Sequence, residues 1–230
     1  MFWDPTYFIF ALPALILALI AQAWVQGAYR RYLRFPNSQG ITGVEAAERL
    51  LRYAGLPVRL EGIRRELGDH YDPRGKVLRL SPNVARTASV ASVAIVAHEV
   101  GHAQQDAQAF LLLRLRSGLV AVVNFTSWLG PILFFIGWML NLTSLAWLGV
   151  LFFAGAVVFA LVTLPVEIDA SRRGLRLLRE TGILQRPEEL RGARRILTAA
   201  ALTYVASLAQ AISTMLYYVF LLRGGRRRRL

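Results

Sequence analysis

Four long stretches of this chain carry no charged side chain, and that most limits how it can fold. They run Tyr7–Val25, Ser117–Leu140, Thr143–Val166 and Ile196–Leu222. A helix needs roughly 20 apolar residues to cross the hydrocarbon core of a bilayer, and each stretch is about that long or longer. The rest of the composition agrees. Hydrophobic residues make up 55% of the 230 and charged residues only 18%, against about 25% in an ordinary globular chain. The sequence reads as a mainly α membrane protein with four transmembrane helices.

The individual runs differ in character. No basic residue precedes Arg30, whereas a cleaved signal peptide opens with a positive charge, so the first run is expected to be an uncleaved anchor. Little more than Asn141 separates the second from the third, which implies an antiparallel helical hairpin. Pro131 is expected to kink the second run. Trp128, Trp138 and Trp147 read as interfacial aromatics. The fourth run holds Thr203, Tyr204, Ser207, Gln210 and Ser213, a polar content that suggests packing on protein rather than lipid.

This divides the chain into 1–27, the first transmembrane helix; 28–116, an extramembrane domain; 117–166, the hairpin; 167–195, a second extramembrane segment; 196–222, the fourth transmembrane helix; and 223–230, a basic tail. Two spans separate the extramembrane parts, so both lie on one side of the bilayer. The larger part reads as a small α+β unit. Thr42 with Glu45 forms a capping-box pattern ahead of a helix that continues to Gly55. Residues 57–61 and 76–80 alternate apolar and polar side chains, as half-buried strands do, with a turn-rich stretch from Gly68 to Gly75 between them. Lys76–Leu80 is an expected edge strand, solvated or open to an extended peptide. A second helix is expected from about Thr87 to about Gln108.

The net charge is +13, and Lys76 is the single lysine among 27 basic residues. Such an excess can serve nucleic acid, anionic headgroups or topology. No basic stripe is interleaved with exposed aromatics, so nucleic-acid binding is not expected. The segment 26–116 holds 14 bases and 167–195 holds 8, against 5 in the tail. The positive-inside rule therefore puts the two extramembrane segments in the cytoplasm. The tail from Arg223 to Arg229 opposes this, since four full spans carry it across. Either it crosses despite its charge, or the fourth segment turns back. The arginines from 226 to 229 read most simply as headgroup-binding.

There are no cysteines and three histidines, His70, His98 and His102, so disulfides, thiolate metal sites and Cys nucleophiles are excluded. Two of the histidines fall in His98-Glu99-Val100-Gly101-His102, an H-E-x-x-H pattern on an apolar helix. The i, i+4 spacing sets both imidazoles on one face, where they can share one tetrahedral Zn²⁺. Glu99 follows the first ligand and can take a proton from water acidified by the metal, then pass it to a leaving amine. A third protein ligand is needed, and His₂Glu is a known catalytic set. Glu167, the first charge after about fifty uncharged residues, is the expected ligand, with Asp169 and His70 as alternatives. His70 or Tyr71 could donate to the oxyanion of the tetrahedral intermediate. The Tyr204 phenol needs a partner within a membrane, either the metal site or a neighbouring helix.

Asp69-His70-Tyr71-Asp72-Pro73, Leu78-Arg79-Leu80-Ser81-Pro82, the segment Ala97–Gln105, Pro165–Arg173 and Ala201–Ala206 follow one another as in the YugP-like neutral zinc metallopeptidases. The chain resembles that family of bacterial integral-membrane proteins over nearly its whole length. The resemblance implies a zincin-like catalytic domain at the surface of the bacterial plasma membrane, one Zn²⁺ per chain, and peptide or protein substrates, membrane proteins among them. The family is similar in turn to HtpX-type gluzincins. There a Glu on a later helix completes the site, and the residue four positions on is usually an Asp that supports a zinc-bound His. Here that position is Ser171, which leaves the role to Ser171 or to Asp169. The implied function is zinc endopeptidase, with membrane-protein quality control by analogy. The alternative is a scaffold that binds zinc without hydrolysis.

Overall fold

The computed structural model describes residues 5–227, with side chains from Thr6 to Gly224. In chain order the elements are α1 (Pro5–Leu33), α2 (Gly43–Tyr53), β1 (Arg59–Gly62), β2 (His70–Asp72), β3 (Val77–Leu80), α3 (Pro82–Arg86), α4 (Val90–Ala107), α5 (Leu111–Met139), α6 (Thr143–Glu180) and α7 (Pro187–Arg227). The helices α1, α5, α6 and α7 are long and apolar enough to cross a membrane. Each continues beyond its uncharged run, because nothing in the backbone chemistry of a helix requires it to stop where charge begins. Helix α5 passes through Pro131 without interruption. Helix α7 is likewise continuous through Thr203, Tyr204, Ser207 and Gln210, so the fourth segment has no turn at which to double back.

Contacts divide the chain into two units. One comprises the helical segments up to Ala21, Leu115–Leu164, and the chain from Thr203 on. It presents large apolar side chains outward: Ile9 is 71% exposed, and Trp128 and Leu151 are each 67% exposed. A soluble surface rarely tolerates apolar patches of that extent. Helices α5 and α6 pack here through glycine. A Cβ on Gly137 would meet the Ala146 nitrogen at 2.3 Å, and one on Gly149 the Phe134 nitrogen at 2.4 Å. Backbones can approach this closely only over small residues, the usual solution where lipid removes any hydrophobic drive between helices. Asn141 makes the intervening turn in the left-handed region, with φ 58°.

The second unit is Gln22–Arg114 with Pro165–Leu202. Helix α4 is its axis, with every residue from Val90 to Ala94 buried. Thr42 caps α2 as its pattern predicts: the hydroxyl accepts from the Glu45 amide, and Glu45 accepts in return from the Thr42 amide at 2.6 Å. That helix buries Ala46, Ala47, Leu50 and Leu51. The sheet has three strands in the order β1-β3-β2, with β1 parallel and β2 antiparallel to β3. This corrects two expectations. The stretch His70–Asp72 is a strand, not part of a turn. Strand β3 is central, not an edge, so it has no free side to offer a peptide; Val77, Leu78 and Leu80 are all buried. The edge adjoining α4 is β2.

Candidate metal centre

The two pieces of the centre come from α4 and the part of α6 beyond its apolar run. They meet because both present small residues four apart. A Cβ on Gly101 would lie 2.4 Å from the Ala170 carbonyl oxygen, and one on Gly174 would lie 2.7 Å from the Ala97 carbonyl oxygen. Position 101 thus meets 170, and 97 meets 174, so the two helices run antiparallel. The same register brings His98 opposite Ser171 and His102 opposite Glu167.

His98, His102 and Glu167 form a cluster whose ligand atoms lie within 4.8 Å of one another. His98 Nε2 is 3.3 Å and His102 Nε2 is 3.5 Å from the same oxygen, Glu167 Oε2. A tetrahedron with zinc–ligand bonds of 2.0–2.1 Å has edges of about 3.3–3.4 Å, so each histidine already stands from Glu167 at close to the spacing zinc requires. Glu167 is 3% exposed. A carboxylate so buried needs positive partners, and the donor set fits the metal.

Both imidazoles are oriented from behind. His98 Nδ1 is 3.1 Å from Ser171 Oγ. His102 Nδ1 donates to Gln105 Oε1 at 2.9 Å, which leaves its Nε2 lone pair for a metal. The Gln105 amide cannot flip, because its nitrogen donates to the Val166 carbonyl and to Asp169 Oδ2, both at 2.8 Å. Asp169 in turn accepts from Arg173 Nε at 2.5 Å, and Arg173 donates to Gln108 at 2.6 Å. Burial disfavours charge on His102. The bond to Glu167 and the nearby Glu99 outweigh it and raise the imidazole above its usual value.

Glu99 is 8% exposed and flanks the histidine face toward β2. Its Oε2 accepts from the Tyr71 amide at 2.9 Å. The Tyr71 hydroxyl donates to Asp106 Oδ2 at 2.7 Å, and Lys76 also donates to that oxygen. Burial, then the bond to Asp106, push this phenol well above its ordinary range, so it stays protonated. Asp69 anchors the start of β2 by accepting from the Ser81 amide at 2.7 Å and its hydroxyl at 2.9 Å. Burial pushes the Asp69 carboxyl up against those bonds.

Of the residues singled out from sequence, His98, Glu99, His102, Glu167, Asp169, Ser171 and Tyr71 converge here. His70 does not: it is exposed, its Nδ1 bonded to the Gly68 carbonyl at 2.7 Å and its Nε2 3.3 Å from Arg79. Tyr204 lies half-buried on α7 in the other unit. Sequence reasoning missed Gln105, although it sits three residues after His102 on the same helical face. It also missed Asp106, one turn beyond His102, and the glycines that let the helices touch.

A two-histidine, one-glutamate centre on paired helices, in a chain with four membrane-length helices, defines a class of protein. The chain belongs to the family described as "Putative neutral zinc metallopeptidase", whose model matches residues 7–223. Within reach of direct comparison is the "Putative membrane protease YugP" of Bacillus subtilis (strain 168). It is 40% identical over 221 residues, covering 95% of this chain and 98% of the relative. No solved structure gives a significant match.

Proposed function

We propose that the protein is a membrane-embedded zinc endopeptidase, with one Zn²⁺ held by His98, His102 and Glu167. The observation that carries this reading is the convergence of two Nε2 atoms on one carboxylate oxygen at 3.3 and 3.5 Å, with an acidic side chain beside them and not among them. Zinc, when bound, polarises a carbonyl oxygen and brings the pKa of water to about 7. The chain supplies the rest. Glu99 takes a proton from the attacking water and returns it to the amine as the peptide bond breaks. The Tyr71 amide holds that carboxylate in place. Gln105 fixes the tautomer of His102, and Ser171 orients the His98 ring. Tyr71 is not the oxyanion donor in this arrangement, since its hydroxyl proton is committed to Asp106.

The site faces the cytoplasm in this reading, supported by the arginine-rich segments 26–116 and 167–195. It lies at the membrane surface and acts on loops or cleaved tails of membrane proteins, a role that suits quality control. The test is proteolysis of a casein-type substrate alongside zinc content. Glu99→Gln keeps the shape but cannot cycle a proton, so activity should fall about 10²–10⁴-fold with zinc retained. An undiminished rate in the purified variant would overturn the mechanism, and a zinc-loaded chain that cleaves nothing would favour the scaffold.

A further inference from the structure

The bonds that orient His102 do not end at the metal centre. They run from Gln105 to Asp169, to Arg173 and to Gln108, and the last three line a polar cavity of about 440 Å³ between α4 and α6. On the α4 helical wheel, Gln104 and Gln108 point away from the histidine face, so the cavity opens on the other flank of the helix contact.

The lining is rich in donors, although Arg172 also acts on the Asp169 carboxylate through its charge. Arg172 and Arg176 stand four apart on α6 and make no ion pair among the described residues. Like charges at i, i+4 repel, so the pair is held at a cost that an anion would offset. Gln108 spends its oxygen on Arg173, and its amide nitrogen has no partner among the described residues. Gln104 adds a second amide. Both acids oppose an incoming negative charge, Asp169 the less because Arg173 and Gln105 already bond it, and the three lining arginines outnumber them. Two guanidinium groups and two amides around a solvent-open cavity match a small oxyanion, because charge-assisted bonds to such groups are the strong ones.

We propose that this cavity is a binding site for a tetrahedral oxyanion of the phosphate class, coupled to the metal centre through Arg173. The inference rests on the metal reading only for its second half. An anion seated on Arg172 and Arg176 attracts the adjacent Arg173 guanidinium. Asp169 then loses its partner, the Gln105 amide gains freedom, and His102 is less firmly aimed. Binding of the anion and of zinc oppose each other, and linkage makes the effect reciprocal.

Sulfate is the probe, since it is a tetrahedral oxyanion that leaves zinc in solution. With the full-length, metal-free protein in detergent at constant ionic strength, sulfate should raise Tm saturably. The rise should vanish in Arg172→Ala/Arg176→Ala, or in the Gln pair if the alanine variant does not fold. An equal rise in wild type and variant overturns the site, because general exclusion of sulfate from protein surfaces explains it. This arm stands even if the chain binds no zinc, a result that would sink the metal reading alone. Competition with a chromophoric chelator reads the coupling. Saturating sulfate should weaken zinc binding about fivefold or more in wild type and not in the variant; unchanged affinity overturns the link. Nanodiscs identify the source. Loss of the sulfate response in phosphatidylglycerol but not phosphatidylcholine marks an anionic lipid headgroup as occupant, and a response in both marks a free anion.

Discussion

Replacing Gly101 with alanine tests whether helix contact, and not the ligands alone, builds the metal centre. The new Cβ would lie 2.4 Å from the Ala170 carbonyl oxygen and 3.1 Å from its carbon. Ordinary contact begins near 3.4 Å, so α4 and α6 must separate by about 1 Å. Neither partner is a side-chain tip that can swing aside; both are helix backbone. Overpacking of this kind costs about 1–3 kcal/mol, less the ~0.5–1 kcal/mol that alanine gains over glycine within a helix. Tm should therefore fall by a few degrees, at roughly 2–4 °C per kcal/mol for a chain of this size. The effect on metal should be larger. Ligand distances tolerate only about 0.2 Å, so a 1 Å separation of His98 and His102 from Glu167 should lower zinc affinity at least tenfold. The assay is zinc competition with a chromophoric chelator, with thermal unfolding of the metal-free protein in parallel. Gly27→Ala is the control: no atom lies within 4 Å of its would-be Cβ, and it should leave Tm unchanged or raised. Wild-type zinc affinity and Tm in Gly101→Ala would refute the role given to the helix crossing.

Removal of the third ligand in Glu167→Ala should strip most of the zinc, whereas Asp169→Ala should lower activity while keeping more metal. The reverse pattern in metal analysis would mean the ligand is misassigned. Gln105→Leu keeps the shape but leaves the His102 Nδ1–H buried without an acceptor; zinc affinity should fall about 10–100-fold, and an unaltered affinity would remove Gln105 from the site. Sidedness can be read by single cysteines in a chain that has none. A Cys at Ser38 should be shielded from an impermeant reagent in intact cells and one at Asn141 should label; labelling at Ser38 would invert the orientation, and shielding at Gly225 would deny the fourth span.

Much of this arrangement is legible in the order of residues alone, and the parts that are not share a cause. Charge-free runs of helical length announce α1, α5, α6 and α7, since burial in lipid leaves the backbone few other options. Thr42 and Glu45 announce the start of α2 because a cap is satisfied locally. Strand β2 is not legible in this way. Asp69, His70, Asp72 and Pro73 are turn-forming residues, and His70–Asp72 becomes a strand only by pairing with Val77–Arg79, which lies beyond local propensity. The central place of β3 does leave a trace, because the alternation expected over 76–80 breaks at the adjacent apolar residues Val77 and Leu78, where an edge would alternate strictly. Pairs such as His98 with Ser171 or Gln105 with Asp169 join residues more than sixty positions apart. Only the crossing of two helices selects them.

That crossing also explains the two letters that the H-E-x-x-H pattern leaves open. Successive helical positions turn by 100°, so five residues sample every direction around α4. His98 and His102 face Glu167, and Glu99 turns toward the Tyr71 amide. Val100 points into the unit's core, where it is fully buried among residues that include Leu50 and Val84. Gly101 points at the Ala170 backbone. A polar side chain at 100 would be buried without a partner, and any side chain at 101 would force the ligand-bearing helices apart. Three positions of the motif are set by the metal chemistry proposed for them, and the other two by what α4 must touch for the histidines to meet Glu167.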